Sequence, residues 1–189
     1  MRTTAILIVT LLAGLLAGTA SAAPRTVTDP QAPRALNDDG PVQVQWTDPA
    51  QFTEIRQSRN RWEAERGNWV QELAEYLQKQ ALKQLPAGQR LAVTITDIKR
   101  AGDYEPWHGP NANDVRIIRN IYPPRITLQF TLTGADGQVI DQGERRLTDS
   151  AFMYNNVRLG NDQLRYEKQL IDDWLRKEFR QDRAAGAVR

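Results

Sequence analysis

The apolar positions of this chain recur at two distinct spacings, and these lay out its elements. Val42, Val44 and Trp46 alternate with Gln43 and Gln45, the two-residue period of a half-buried strand that Asp48-Pro49 ends. Trp62, Trp69, Leu73, Tyr76 or Leu77, Ala81 and Leu85 then step by threes and fours, drawing the apolar stripe of a helix between Asn60 and Leu85. Two starts compete for it. Asn60 with Glu63 and Asn68 with Gln71 each resemble a capping box, and Gly67 between them disfavours a continuous helix. The pattern predicts a firm helix from about Asn68, preceded by a frayed turn and stopped by Pro86 and Gly88.

Alternation returns at Leu91, Val93 and Ile95, and Asp97 on the same face predicts that this strand leaves the core there. Lys99 to Asn113, with Gly102, Pro106, Gly109 and Pro110, reads as a long loop, and Val115 to Arg119 as a short strand. Ile126, Leu128, Phe130 and Leu132 form the clearest strand. The turn Gly134-Ala135-Asp136-Gly137 sends Gln138 to Leu147 back as its hairpin partner. Gly160-Asn161-Asp162 opens a closing helix faced by Leu164, Leu170, Ile171, Trp174, Leu175 and Phe179. The predicted fold is α+β: an antiparallel sheet of four to five strands with two helices packed on one face, in the order β-α-β-β-β-β-α. Trp62, Trp69 and Trp174, all on helical stripes, are expected in the core between the helices.

The first 22 residues follow a different pattern. A basic start at Arg2 precedes an apolar run from Ala5 to Ala17, broken only by Thr10 and Gly14. Ala20-Ser21-Ala22 then offers small residues for signal peptidase, and the run is too short for a comfortable permanent span of roughly 20 apolar residues. The expectation is a secretory signal peptide, residues 1–22, cut after Ala22, which would leave a periplasmic protein without a transmembrane segment. Residues 23–40, rich in Pro, Asp, Asn and Arg, read as a disordered leader, 41–182 as a single domain, and 183–189 as a loose tail.

Composition narrows the chemistry. Of 189 residues, 25 are Lys or Arg and 23 Asp or Glu, and loss of the signal would remove Arg2 alone. A charge so near neutral creates no general field for nucleic acid. With no cysteine there is no disulfide, thiolate metal site or Cys nucleophile, and the core alone must hold the domain. His108 is the only histidine, and no Gly-x-Ser-x-Gly surrounds Ser21, Ser58 or Ser150, which argues against a catalytic triad. No calcium-loop pattern is present, so neither a metal nor a cofactor is expected.

Several segments in order carry a resemblance. They are Val44-Gln45-Trp46-Thr47-Asp48-Pro49 with Phe52-Thr53; Leu85-Pro86-Ala87-Gly88-Gln89 before Thr96-Asp97-Ile98; Pro123-Pro124-Arg125-Ile126; Leu147-Thr148-Asp149; and Tyr166-Glu167-Lys168 with Trp174. From about Val42 to Phe179 the chain resembles the exported bacterial proteins known as domain of unknown function 3016. The resemblance implies a single exported domain and brings no activity, ligand or catalytic residue with it.

Two functions from different classes stay open. One is a non-catalytic binding or interaction domain of the envelope whose open sheet face takes a protein, a peptide or a cell-wall component. Its candidate residues are the basic cluster Arg116, Arg119 and Arg125 and the loop residues Trp107 and His108, which can equally be a balanced sheet face and a solvated loop. The other is a carboxylate-dependent hydrolase of envelope polysaccharide or peptide drawing on Asp97, Asp149 and Glu167 or on acids of the 99–113 loop, since a glycosidase needs two acids about 5–10 Å apart. Each acid also has a structural role open to it: Asp97 and Asp149 in turns, Glu167 at a helix start.

Overall fold

The computed structural model describes residues 26–36, 39–154 and 160–186. Its elements are β1 (Val42–Trp46), α1 (Thr53–Arg56), α2 (Arg61–Glu65), α3 (Trp69–Gln84), β2 (Arg90–Lys99), β3 (Asp103–Tyr104), β4 (Arg116–Ile117), β5 (Arg125–Thr133), β6 (Val139–Thr148) and α4 (Arg165–Gly186). Four strands form one sheet in the order β1-β2-β5-β6, and β3 with β4 form a separate ribbon. The alternating residues of β1, β2 and β5 bury one face, with Val44, Val93 and Leu128 packed in one core with Leu73 and Leu77 of α3 and Leu175 of α4. The opposite face is polar, and Gln45, Thr94, Gln129 and Gln142 line an open depression of about 580 Å³ on it.

The sheet is mixed, not antiparallel as expected. β2, β5 and β6 pair antiparallel, but β1 runs parallel to β2, with Val44 opposite Val93. The chain between them passes through α1, α2 and α3, long enough to return to the starting end of the sheet, which parallel pairing requires. Alternation reports which face a residue takes, not the direction of its neighbour.

β2 also departs from expectation at its far end. It does not leave the core at Asp97. A register shift between Ile95 and Asp97 re-phases the strand, so Ile98 opposite Ile126 is fully buried and pairing continues to Lys99. The first helix is divided in two. Gly67, at φ +83°, turns the chain between α2 and α3, and Trp62 on α2 is 66% exposed instead of in the core. Asn60 caps α2, accepting the N–H of Glu63 at 3.1 Å, whereas Asn68 makes no side-chain cap on α3.

Residues 26–36, expected to be disordered, dock on the domain. Val27 is buried and donates its N–H to the Glu65 carbonyl at 2.8 Å. Leu36 N–H donates to Val44 and Trp46 N–H to Arg34, at 3.0 and 2.9 Å, along the outer edge of β1. The composition of this stretch promised no core of its own, and its order depends on a surface made elsewhere. At the other end α4 stays helical through Gly186, past the expected start of a loose tail at 183. The expected signal peptide, residues 1–22, lies outside the described residues, and no described helix is long and apolar enough to cross a membrane.

Candidate binding edge

Residues 99–113 are not the uninterrupted loop their Gly and Pro content predicts: Lys99 still belongs to β2, and Asp103–Tyr104 forms β3, paired with β4 inside the expected strand Val115 to Arg119. Gly102, at φ +79°, reverses the chain after β2. A Cβ there would stand 2.7 Å from the Ile117 carbonyl oxygen, so only glycine lets the β3–β4 ribbon close. Beneath the ribbon sits a fully buried carboxylate, Glu54 of α1. Asp97 positions α1 by accepting both the N–H and the hydroxyl of Thr53, at 2.5 and 2.7 Å.

Glu54 gathers three cations. Lys99 Nζ is 3.2 Å from its Oε2, Arg100 reaches Oε1 through Nε and Nη2 at 3.2 and 3.1 Å, and Arg116 Nη2 also bonds Oε1. Burial alone would raise the Glu54 pKa, but the charges of Arg116, Arg100 and Lys99 outweigh it and bring it to about 2. Glu167 shows the opposite balance. Also fully buried, it accepts the Ala101 N–H at 2.6 Å through Oε1, while Oε2 has no hydrogen-bond partner. Burial, the dominant influence, pushes its carboxyl above the usual range. Glu167 therefore pins the start of α4 to the end of β2 and is not a surface complement to the helix dipole.

Above this base lies an exposed edge. Glu105, itself buried, accepts from Arg119 Nη2 at 2.7 Å and from the Tyr122 hydroxyl at 3.1 Å. His108 Nε2 lies 2.8 Å from the oxygen that Arg119 bonds and 3.2 Å from Arg119 Nη2 itself. Burial would raise the Glu105 pKa; the bonds from His108 and Tyr122 and the Arg119 charge hold it below the usual range. Arg59, bonded to buried Asp103 at 2.8 Å, lays its guanidinium 5.1 Å from the Trp107 ring centre and 5.7 Å from that of Tyr122. Trp107 nevertheless stays 60% exposed.

Of the candidate binding residues, Arg116, Arg119, Trp107 and His108 thus come together, with Arg116 below the surface and the others at it. They do not share the sheet face expected for the arginines. Arg125 stands apart at the start of β5, opposite Lys99 and Thr148. The candidate acids do not converge on a described cleft. Asp97 caps α1 and Glu167 is enclosed. Asp149, whose Oδ1 accepts the Ala151 N–H at 2.8 Å, lines a cleft of about 610 Å³ between β6 and α4. Glu54, Arg59, Lys99 and Arg100 were not foreseen. Their only local signal is a Lys-Arg pair closing an apolar strand just before a glycine.

A family model, protein of unknown function (DUF3016), matches residues 40–177. The chain belongs to this family. The match takes in α1, the β3–β4 ribbon and the whole sheet, so the edge is part of the family's domain and not an addition to it. Neither the curated proteins nor the solved structures contain a match to this chain.

Proposed function

We propose that this DUF3016 protein is an exported, non-catalytic binding domain of the bacterial envelope, and that the Trp107 edge holds a cell-wall glycan. One observation carries the proposal: a largely exposed indole is held in place by Arg59, beside a guanidinium and an imidazole anchored on the buried carboxylate of Glu105. A flat aromatic face accepts the C–H face of a sugar ring, and fixed polar groups beside it orient the hydroxyl, amide or carboxylate substituents. Asp97, Glu167 and Asp149 each accept a backbone N–H, from Thr53, Ala101 and Ala151, and the loop acids Asp103 and Glu105 are held by Arg59 and Arg119, which favours structural roles for them. Export rests on the N-terminal sequence pattern alone.

Co-sedimentation of the mature chain with insoluble peptidoglycan sacculi tests this. Retention is expected, with Trp107→Ala weakening it at least about tenfold, the equivalent of ~1.4 kcal/mol. Trp62→Ala, which removes an exposed indole elsewhere, should leave it unchanged. No retention, or equal retention of the Trp107 variant, overturns the assignment. Release of soluble fragments from the sacculi would put the carboxylate hydrolase in its place.

A further inference from the structure

The two edges of the main sheet are treated differently. The outer edge of β1 is closed by the chain itself, through Arg34 and Leu36 and the bridge between Ala35 and Gln45. β6, the other edge, is ten residues long, and among the described residues it pairs with β5 alone. Along it the Gln142 N–H and the Glu144 carbonyl take partners from side chains of the same strand, Asp141 Oδ1 at 2.7 Å and Arg145 Nη1 at 3.4 Å. An unpaired strand of this length is a template for another strand.

We propose that two copies of this chain join antiparallel through β6, about a two-fold axis at Arg145, making one continuous eight-stranded sheet. The charge pattern of the strand selects both partner and register. Gln142, Glu144, Arg146 and Thr148 point to the exposed face. Centring the axis on Arg145 sets each Glu144 opposite an Arg146 and each Gln142 opposite a Thr148, an arrangement that is its own complement. Shifting the centre to Glu144 or Arg146 sets like charges opposite each other. A shift by one residue puts inward-facing side chains opposite outward-facing ones, which the pleat forbids. On the inner face the two Arg145 side chains meet at the axis, but each is already neutralised within its own copy by Glu178 and Asp141, at 2.7 and 3.0 Å. Residues 142–148 of each copy overlap in this register, beside the cleft between β6 and α4.

Sedimentation velocity of the mature chain over a concentration series is the test. A monomer–dimer equilibrium is expected. Glu144→Arg should weaken it at least about tenfold by facing arginine with arginine, and the double variant Glu144→Arg/Arg146→Glu should restore it. Both positions are exposed, and unchanged circular dichroism would show that the variants fold. A monomer at every concentration overturns the proposal and leaves inward-pointing Arg145 as the charge that keeps the edge unpaired. Single reversals that dimerise like the wild type overturn it as well.

Discussion

Glu54 and Glu167 show at the scale of single residues how the same buried side chain can have opposite effects. Glu54 faces three cations, and its pKa falls to about 2. Its contribution to stability is fully present above the carboxylate's unfolded pKa of about 4.5 and is lost as pH falls toward 2. Glu167 has its pKa raised by burial, so the folded state resists its ionisation. That cost is felt at neutral pH and is relieved as the pH falls from the raised value to the unfolded value of 4.5. Glu54→Gln should therefore destabilise at pH 7 by about 3–5 kcal/mol, because Lys99, Arg100 and Arg116 lose the charge that compensates them. It should also flatten the loss of stability between pH 4.5 and 2. Glu167→Gln keeps an oxygen for the Ala101 N–H and should be at least as stable as the wild type at pH 7. Urea unfolding of both variants across pH measures this, and a Glu167→Gln protein weakened as much as Glu54→Gln would contradict it.

Among the elements, α4 closes the core. Its apolar stripe seats Trp174 edge-on to Phe130, ring centres 5.8 Å apart, with the indole N–H donating to Glu178 at 2.9 Å. Glu178 in turn bonds Arg145 of β6, whose guanidinium covers the Phe130 ring at 4.5 Å. Trp174→Ala should cost about 3–5 kcal/mol, the range for truncating a buried large aromatic. Trp62 falls on the same kind of stripe in the sequence, yet α2 ends before α3 begins and leaves it in solvent with Arg66 stacked on it at 5.0 Å. Trp62→Ala should stay within about 0.5 kcal/mol of the wild type. Thermal or urea denaturation of the pair decides whether packing or periodicity sets the cost; equal losses would mean that the helices dock differently.

For the whole molecule, the mixed sheet and the docked N-terminal segment depend on each other. β1 is placed at the sheet's edge by the crossover through α1 to α3, and residues 26–36 then cover what that placement leaves open. A chain shortened to begin at Asn37 loses the Val27 contact, the Arg34–Asp48 ion pair and both backbone bonds to β1. It should still fold, with stability lower by about 2–4 kcal/mol, most of it from exposing Val27 and the apolar surface under it. The urea midpoint would fall accordingly, and an unchanged midpoint would show that the segment adds nothing to the fold.

The local elements are legible along the chain, because each is written in a short-range pattern. Alternation marks β1, β5 and the first half of β2, the apolar stripes mark α3 and α4, and Asn60 with Glu63 marks the start of α2. Family membership was likewise carried by motifs in linear order. The remaining features arise from packing between distant segments. The direction of β1 follows from a crossover, the phase of Ile98 from a bulge, and the order of residues 26–36 from a surface built by other segments. The base of the binding edge joins Glu54 to Lys99, Arg100 and Arg116, partners 45 to 62 residues apart. Periodicity reports which face one element buries; it carries no record of which distant charge will share that face, since long-range pairing is set by how the elements stack.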